Sequence, residues 1–77
     1  MSVYREDTRL PIEVTRSAVA SAHRLTDDEI INEYNPIVER MIAGVSFKPL
    51  YYKASLKVKA AVDQIMVEID AWRNSLL

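Results

Sequence analysis

At 77 residues the chain has room for one domain, near the size at which a single hydrophobic core can hold a polypeptide folded. Apolar residues make up 49% and charged residues 27%, which sets it among globular chains and away from intrinsic disorder. It has no cysteine, which excludes a disulfide framework, a thiolate zinc site and a cysteine nucleophile, and its net charge of -1 gives no overall attraction to nucleic acid or anionic lipid.

Residues 1–10 mix charges of both signs and contain no apolar run resembling the core of a signal peptide, so a cytoplasmic location is expected. Nothing approaches the ~20 consecutive apolar residues that a membrane-spanning helix needs, so no membrane partner is expected either. This N-terminal segment, with Val3, Tyr4 and Leu10, is set apart from a single helical domain over residues 11–77.

The fold class expected is all-α: a small three-helix bundle with a proline-kinked second helix and a long C-terminal helix. The first helix is predicted from Pro11 to about Arg24, with Val14, Ala18, Ala22 and Leu25 on one face. Thr26 followed by Asp27, Asp28 and Glu29 is a capping box that starts the second helix, and Gly44 supplies its stop. Within it, Ile30, Tyr34, Ile37 and Met41 form one stripe, and Ile31, Val38 and Ile42 form another.

Pro36 removes a hydrogen bond to the Asn32 carbonyl and disfavours helical geometry at Asn35, so regular bonding should be lost between Asn32 and Pro36. The stripe keeps its phase across the proline, which favours a kink over a break, although Asn35-Pro36 also reads as a cap and first helical residue.

The third helix is predicted to open at Pro49 and run to the C-terminus. Tyr51, Val58, Val62, Ile65, Ile69, Trp72 and Leu76 make its inner stripe, and Leu56, Ala60 and Val67 lie nearly opposite. By helical rise the second helix spans ~26 Å and the third ~39 Å to Asn74. A simple antiparallel hairpin of the two would leave Ile69, Trp72 and Leu76 in an apolar overhang, a feature that normally marks an interaction surface.

Residues that carry chemistry are sparse. His23 is the one histidine, and no serine or threonine is placed to serve as its nucleophile, so it reads as structural or exposed. Glu29 and Glu33 stand four apart, as metal-binding carboxylates do in helical bundles, but no Glu-x-x-His motif accompanies them and a solvated acidic face is expected. With only Gly44, there is no glycine-rich phosphate loop. No catalytic residue, metal ligand or cofactor is assigned, and the chain reads as a non-enzyme.

Residues 47–59 hold four lysines, no acid and three aromatics, whereas residues 26–43 hold five acids against one arginine. Lys48, Tyr52, Lys53, Lys57 and Lys59 form a candidate charged contact surface. Residues 36–43 do not resemble a DNA-reading helix, since Arg40 is their one basic residue. The favoured function is a protein-interaction module (adaptor, assembly factor or small inhibitor) that self-associates through Leu56, Val67, Ile69, Trp72 and Leu76. The alternative is a nucleic-acid accessory protein that uses the basic stretch, where stacking and phosphate contact could combine.

Overall fold

The structure, a computed structural model, describes residues 11–75. Among these residues there are four helices and no strand. α1 is Ile12–Ala22, and α2 is built from three segments, Asp27–Glu29, Ile30–Tyr34 and Asn35–Ala43; α3 is Lys48–Lys53 and α4 is Leu56–Ser75. The all-helical expectation holds. Leu76 and the segment 1–10, with Val3, Tyr4 and Leu10, lie outside the described residues.

Pro11 precedes α1 as its N-cap. Past Ala22 the chain turns through a Schellman motif: the Arg24 amide donates to the Ser21 carbonyl, and the Leu25 amide reaches back to the Ala20 carbonyl. Arg24 sits at the left-handed position of this motif with φ 58°, a conformation that costs a residue with a Cβ roughly 1–2 kcal/mol. α2 ends in the same motif, but there Gly44 takes the left-handed position with φ 78° at little steric cost.

The start of α2 matches the capping box read from sequence. Thr26 Oγ accepts from the Glu29 amide at 3.2 Å, and Glu29 Oε1 accepts from the Thr26 amide at 2.8 Å. From Ile30 to Tyr34 the backbone forms a π-turn, in which the Asn35 amide donates five residues back to Ile30. In a regular α-helix Pro36 would have no N–H for the Asn32 carbonyl and its ring would crowd that oxygen. The wider turn carries the chain past this point, and the helix continues to Ala43.

Two features of the expected third helix are corrected. It is not one helix from Pro49, because the chain leaves helical geometry at Ala54, where ψ is 158°, and α4 begins only at Leu56. Ser55 is the reason: its Oγ accepts from the Val58 amide at 3.3 Å, while its own amide donates to Glu33 Oε1 at 2.8 Å. α2 and α4 are also not an antiparallel hairpin. Lys57 at the start of α4 reaches Glu29 at the start of α2 (3.2 Å), and Arg73 near the end of α4 donates to the Met41 and Ile42 carbonyls at the end of α2. The two helices run parallel, because the loop after Gly44 and the short α3 carry the chain back. α1 runs antiparallel to α2, with Arg16 donating to Asn35 Oδ1 (3.1 Å) and lying 3.8 Å from Glu39.

The core lies between α2 and α4 and is closed by α1. Tyr34, Ile37, Val38 and Met41 meet Val58, Ala61, Val62, Ile65 and Ile69. Tyr34 is 1% exposed and donates its hydroxyl to the Arg16 carbonyl at 2.7 Å, so its polar tip is satisfied inside. On α1 the buried residues are Ile12, Val19 and Ala20, with Leu25 just beyond, and not Val14, Ala18 and Ala22, which are exposed. Ile31, expected on the second stripe of α2, also faces solvent.

Candidate interaction surface

Successive residues of an α-helix are rotated by about 100°, so α4 has room for two apolar stripes. One is spent on the core. The other, Leu56, Ala60, Val67 and Ala71, faces solvent, with Leu56 83% and Val67 66% exposed. Flanking it are Lys57, Gln64 and Glu68 on the side toward α1, and Lys59, Asp63 and Asp70 on the side toward α3.

Beside Gln64 and Glu68, the exposed stripe of α1 continues this surface. Val14, Ala18 and Ala22 line a shallow groove of about 360 Å³ with the two α4 residues. At one end of the groove the His23 Nε2–H donates to Gln64 Oε1 at 2.7 Å, a structural role for the histidine. Two apolar stripes from different helices thus share one side of the molecule. The sequence points to Val14, Ala18 and Ala22 as the apolar face of α1, but the structure exposes that face; either stripe satisfies helical periodicity, and the rival signal was the equally well-spaced Ile12 and Val19.

The expected self-association residues separate. Leu56 and Val67 are on the outer stripe, Trp72 is half-buried against the core, and Ile69 is 2% exposed inside it. No overhang exposes Ile69, since α2 and α4 start and finish together. Leu76 lies outside the described residues.

The charged candidates divide in the same way. Lys48, Tyr52 and Lys53 on α3 are exposed, Tyr52 at 67%. Lys57 is engaged within the chain, donating to the Arg24 carbonyl at 2.9 Å as well as pairing with Glu29. Its ammonium thereby caps the C-terminal end of α1 while neutralising the acidic start of α2. The Thr26 amide, and then Lys57, hold the Glu29 carboxyl below the usual carboxylate range. Lys59 sits 5.9 Å from the centroid of the Tyr51 ring. The Tyr51 hydroxyl donates to Asp63 Oδ1 at 2.9 Å, and that bond to a carboxylate raises the Tyr51 pKa.

A cleft of about 510 Å³ lies between α1 and the π-turn. Arg16, Asn35 and Glu39 line it, but they satisfy one another. Burial there pushes the Tyr34 hydroxyl up to about 12, against the opposing charge of Arg16. Among the described residues no three His, Cys, Asp or Glu side chains converge in a way that could hold a metal ion. No helix among them is long and apolar enough to cross a membrane. No protein-family model, curated protein or solved structure matches this chain.

Proposed function

We propose that this chain is a non-enzymatic protein-interaction module, acting as an adaptor, assembly factor or small inhibitor, whose contact surface is the outer face of α4 with the adjoining stripe of α1. One observation carries this: Leu56 and Val67, at 83% and 66% exposure, stand on one face of a helix whose opposite face is fully buried. Large apolar side chains gathered on one rigid element are what a docking surface requires, whereas single scattered ones are ordinary. The core behind it is read as a bundle of α1, α2 and α4, with α2 bent at the π-turn so that Ile37, Val38 and Met41 stay aimed at α4.

The test uses the full chain and a Leu56→Glu, Val67→Glu double variant. Both positions are solvated in the single chain, so circular dichroism and melting should be nearly unchanged. The variant should lose the protein complex that the parent forms, followed as solution mass and as recovery of that complex from the native host. A variant that keeps every complex of the parent would overturn this function.

A nucleic-acid role is the second reading, and exposed Tyr52 beside Lys48 and Lys53 favours it. Its basic surface is reduced to that patch, because Lys57 is bonded within the chain. Under this alternative, Lys48→Glu with Lys53→Glu abolishes binding to DNA or RNA while leaving the fold intact, and parent affinity falls steeply with salt. We expect no salt-sensitive binding by the parent.

A further inference from the structure

We infer that the occupant of the outer face of α4 is the same face of a second copy, packed antiparallel so that alanines meet larger side chains, with Ala60 of one chain against Val67 of the other.

 This rests on the proposed reading of that face as a contact surface. A two-fold axis passing between positions 63 and 64 sets Leu56 against Ala71 of the second copy and Ala60 against its Val67. Each larger side chain then meets an alanine, so the stripe is its own complement. A parallel, in-register pair would instead stack Leu56 on Leu56 and alanine on alanine, leaving gaps along the seam.

Charge selects the same direction. On the α1 flank the basic residue is Lys57 and the acid is Glu68; on the α3 flank they are Lys59 and Asp70. A two-fold axis perpendicular to both helices keeps each flank facing its own kind, so antiparallel packing brings Lys59 to Asp70 of the second copy, and Lys57 toward its Glu68. Parallel packing would set lysine beside lysine and acid beside acid, which disfavours that partner. Lys57 is already held by Glu29 and the Arg24 carbonyl, so the Lys59 and Asp70 pair carries the selection. Asp63 falls beside its own image at the axis. Its bond to the Tyr51 hydroxyl ties the carboxylate to α3, on the edge of the seam. Along the α1 flank, Ala18 and Ala22 are small enough to let the two α1 helices approach.

The chain contains no cysteine, so single-cysteine variants report contacts without interference. Ala60→Cys and Val67→Cys chains, mixed in equal amounts and mildly oxidised at micromolar concentration, should form the mixed disulfide several-fold faster than either forms a disulfide with itself. The parent should show the mass of two chains by light scattering. Lys59→Glu should weaken the pair about tenfold, and adding Asp70→Lys should restore it. Faster self-linking of Ala60→Cys would overturn the antiparallel register. A parent with the mass of one chain at 100-fold higher concentration, with no cross-link, would overturn the second copy as occupant. Neither result decides the broader contact function, which falls only if the Leu56→Glu, Val67→Glu variant keeps the parent's complexes.

Discussion

The two faces of α4 carry side chains of nearly the same kind and meet opposite fates. Val58, Val62, Ile65 and Ile69 are sealed against α1 and α2, while Leu56 and Val67, within the same twenty residues, stand in water. Hydrophobicity alone therefore does not decide burial here; the decision is made by which stripe the neighbouring helices reach. The inner stripe has its partners within the chain, and the outer stripe is left with an unspent apolar surface.

The sharpest way to break this contrast is to truncate one residue on each face. Ile65→Ala should lower stability by about 2–5 kcal/mol, through lost burial and a cavity that rigid neighbours cannot fill. In a domain this small that is a large share of the total, and chemical denaturation will show it. Tyr34→Phe, which removes the hydroxyl bonded to the Arg16 carbonyl, should cost about 1–2 kcal/mol.

The same hydroxyl gives the core a pH signature. Its pKa is raised from 10.0 to about 12 in the folded chain, so the stabilisation it lends is complete below pH 10 and is lost as pH rises from 10 through about 12. Melting temperature followed across that window should fall more steeply for the parent than for Tyr34→Phe; equal slopes would show that the hydroxyl is not buried.

On the exposed side, effects should follow backbone geometry more than burial. Arg24→Gly removes a Cβ from a left-handed position and should raise stability by about 0.5–1 kcal/mol. Smallest of all, Val67→Ala should change the stability of the single chain by less than about 0.5 kcal/mol. If denaturation finds Val67→Ala as costly as Ile65→Ala, the distinction between the faces fails.

Much of α2 was legible because its signals are local. Thr26, Glu29 and Gly44 act on backbone groups within a few residues, and of the two stripes read on this helix the Tyr34, Ile37 and Met41 stripe is buried whole, while the second divides between buried Val38 and exposed Ile31. α1 and α4 each offer two apolar stripes, and periodicity has no means of ranking them; on α4 the choice came out correctly, and on α1 it did not. The break before α4 was hidden for another reason. Ser55 is a cap with no acid three residues on, and the carboxylate that satisfies its amide belongs to Glu33, 22 residues away. The parallel course of α2 and α4 followed from that break, and with it went the overhang that had placed Ile69 on the surface. Of the proposed contact surface, Leu56 and Val67 were legible as the stripe opposite the seam, whereas its extension onto α1 depends on how the two helices pack.

The π-turn at Ile30–Tyr34 is the local shape that a helix takes when it absorbs one residue more than its neighbours require. It therefore behaves as a stored insertion, and it should be removable. Deleting exposed Ile31 alone would restore α-helical spacing while returning the Asn32 carbonyl to the Pro36 ring, and should destabilise the chain. Deleting Ile31 together with Pro36→Ala removes both the surplus residue and the obstacle it bypasses, leaving the downstream Ile37, Val38 and Met41 in their present phase. The two changes should be strongly non-additive, the pair costing less than the deletion alone. In that sense the proline and the extra residue are two halves of one accommodation, and a lineage could lose both more easily than either.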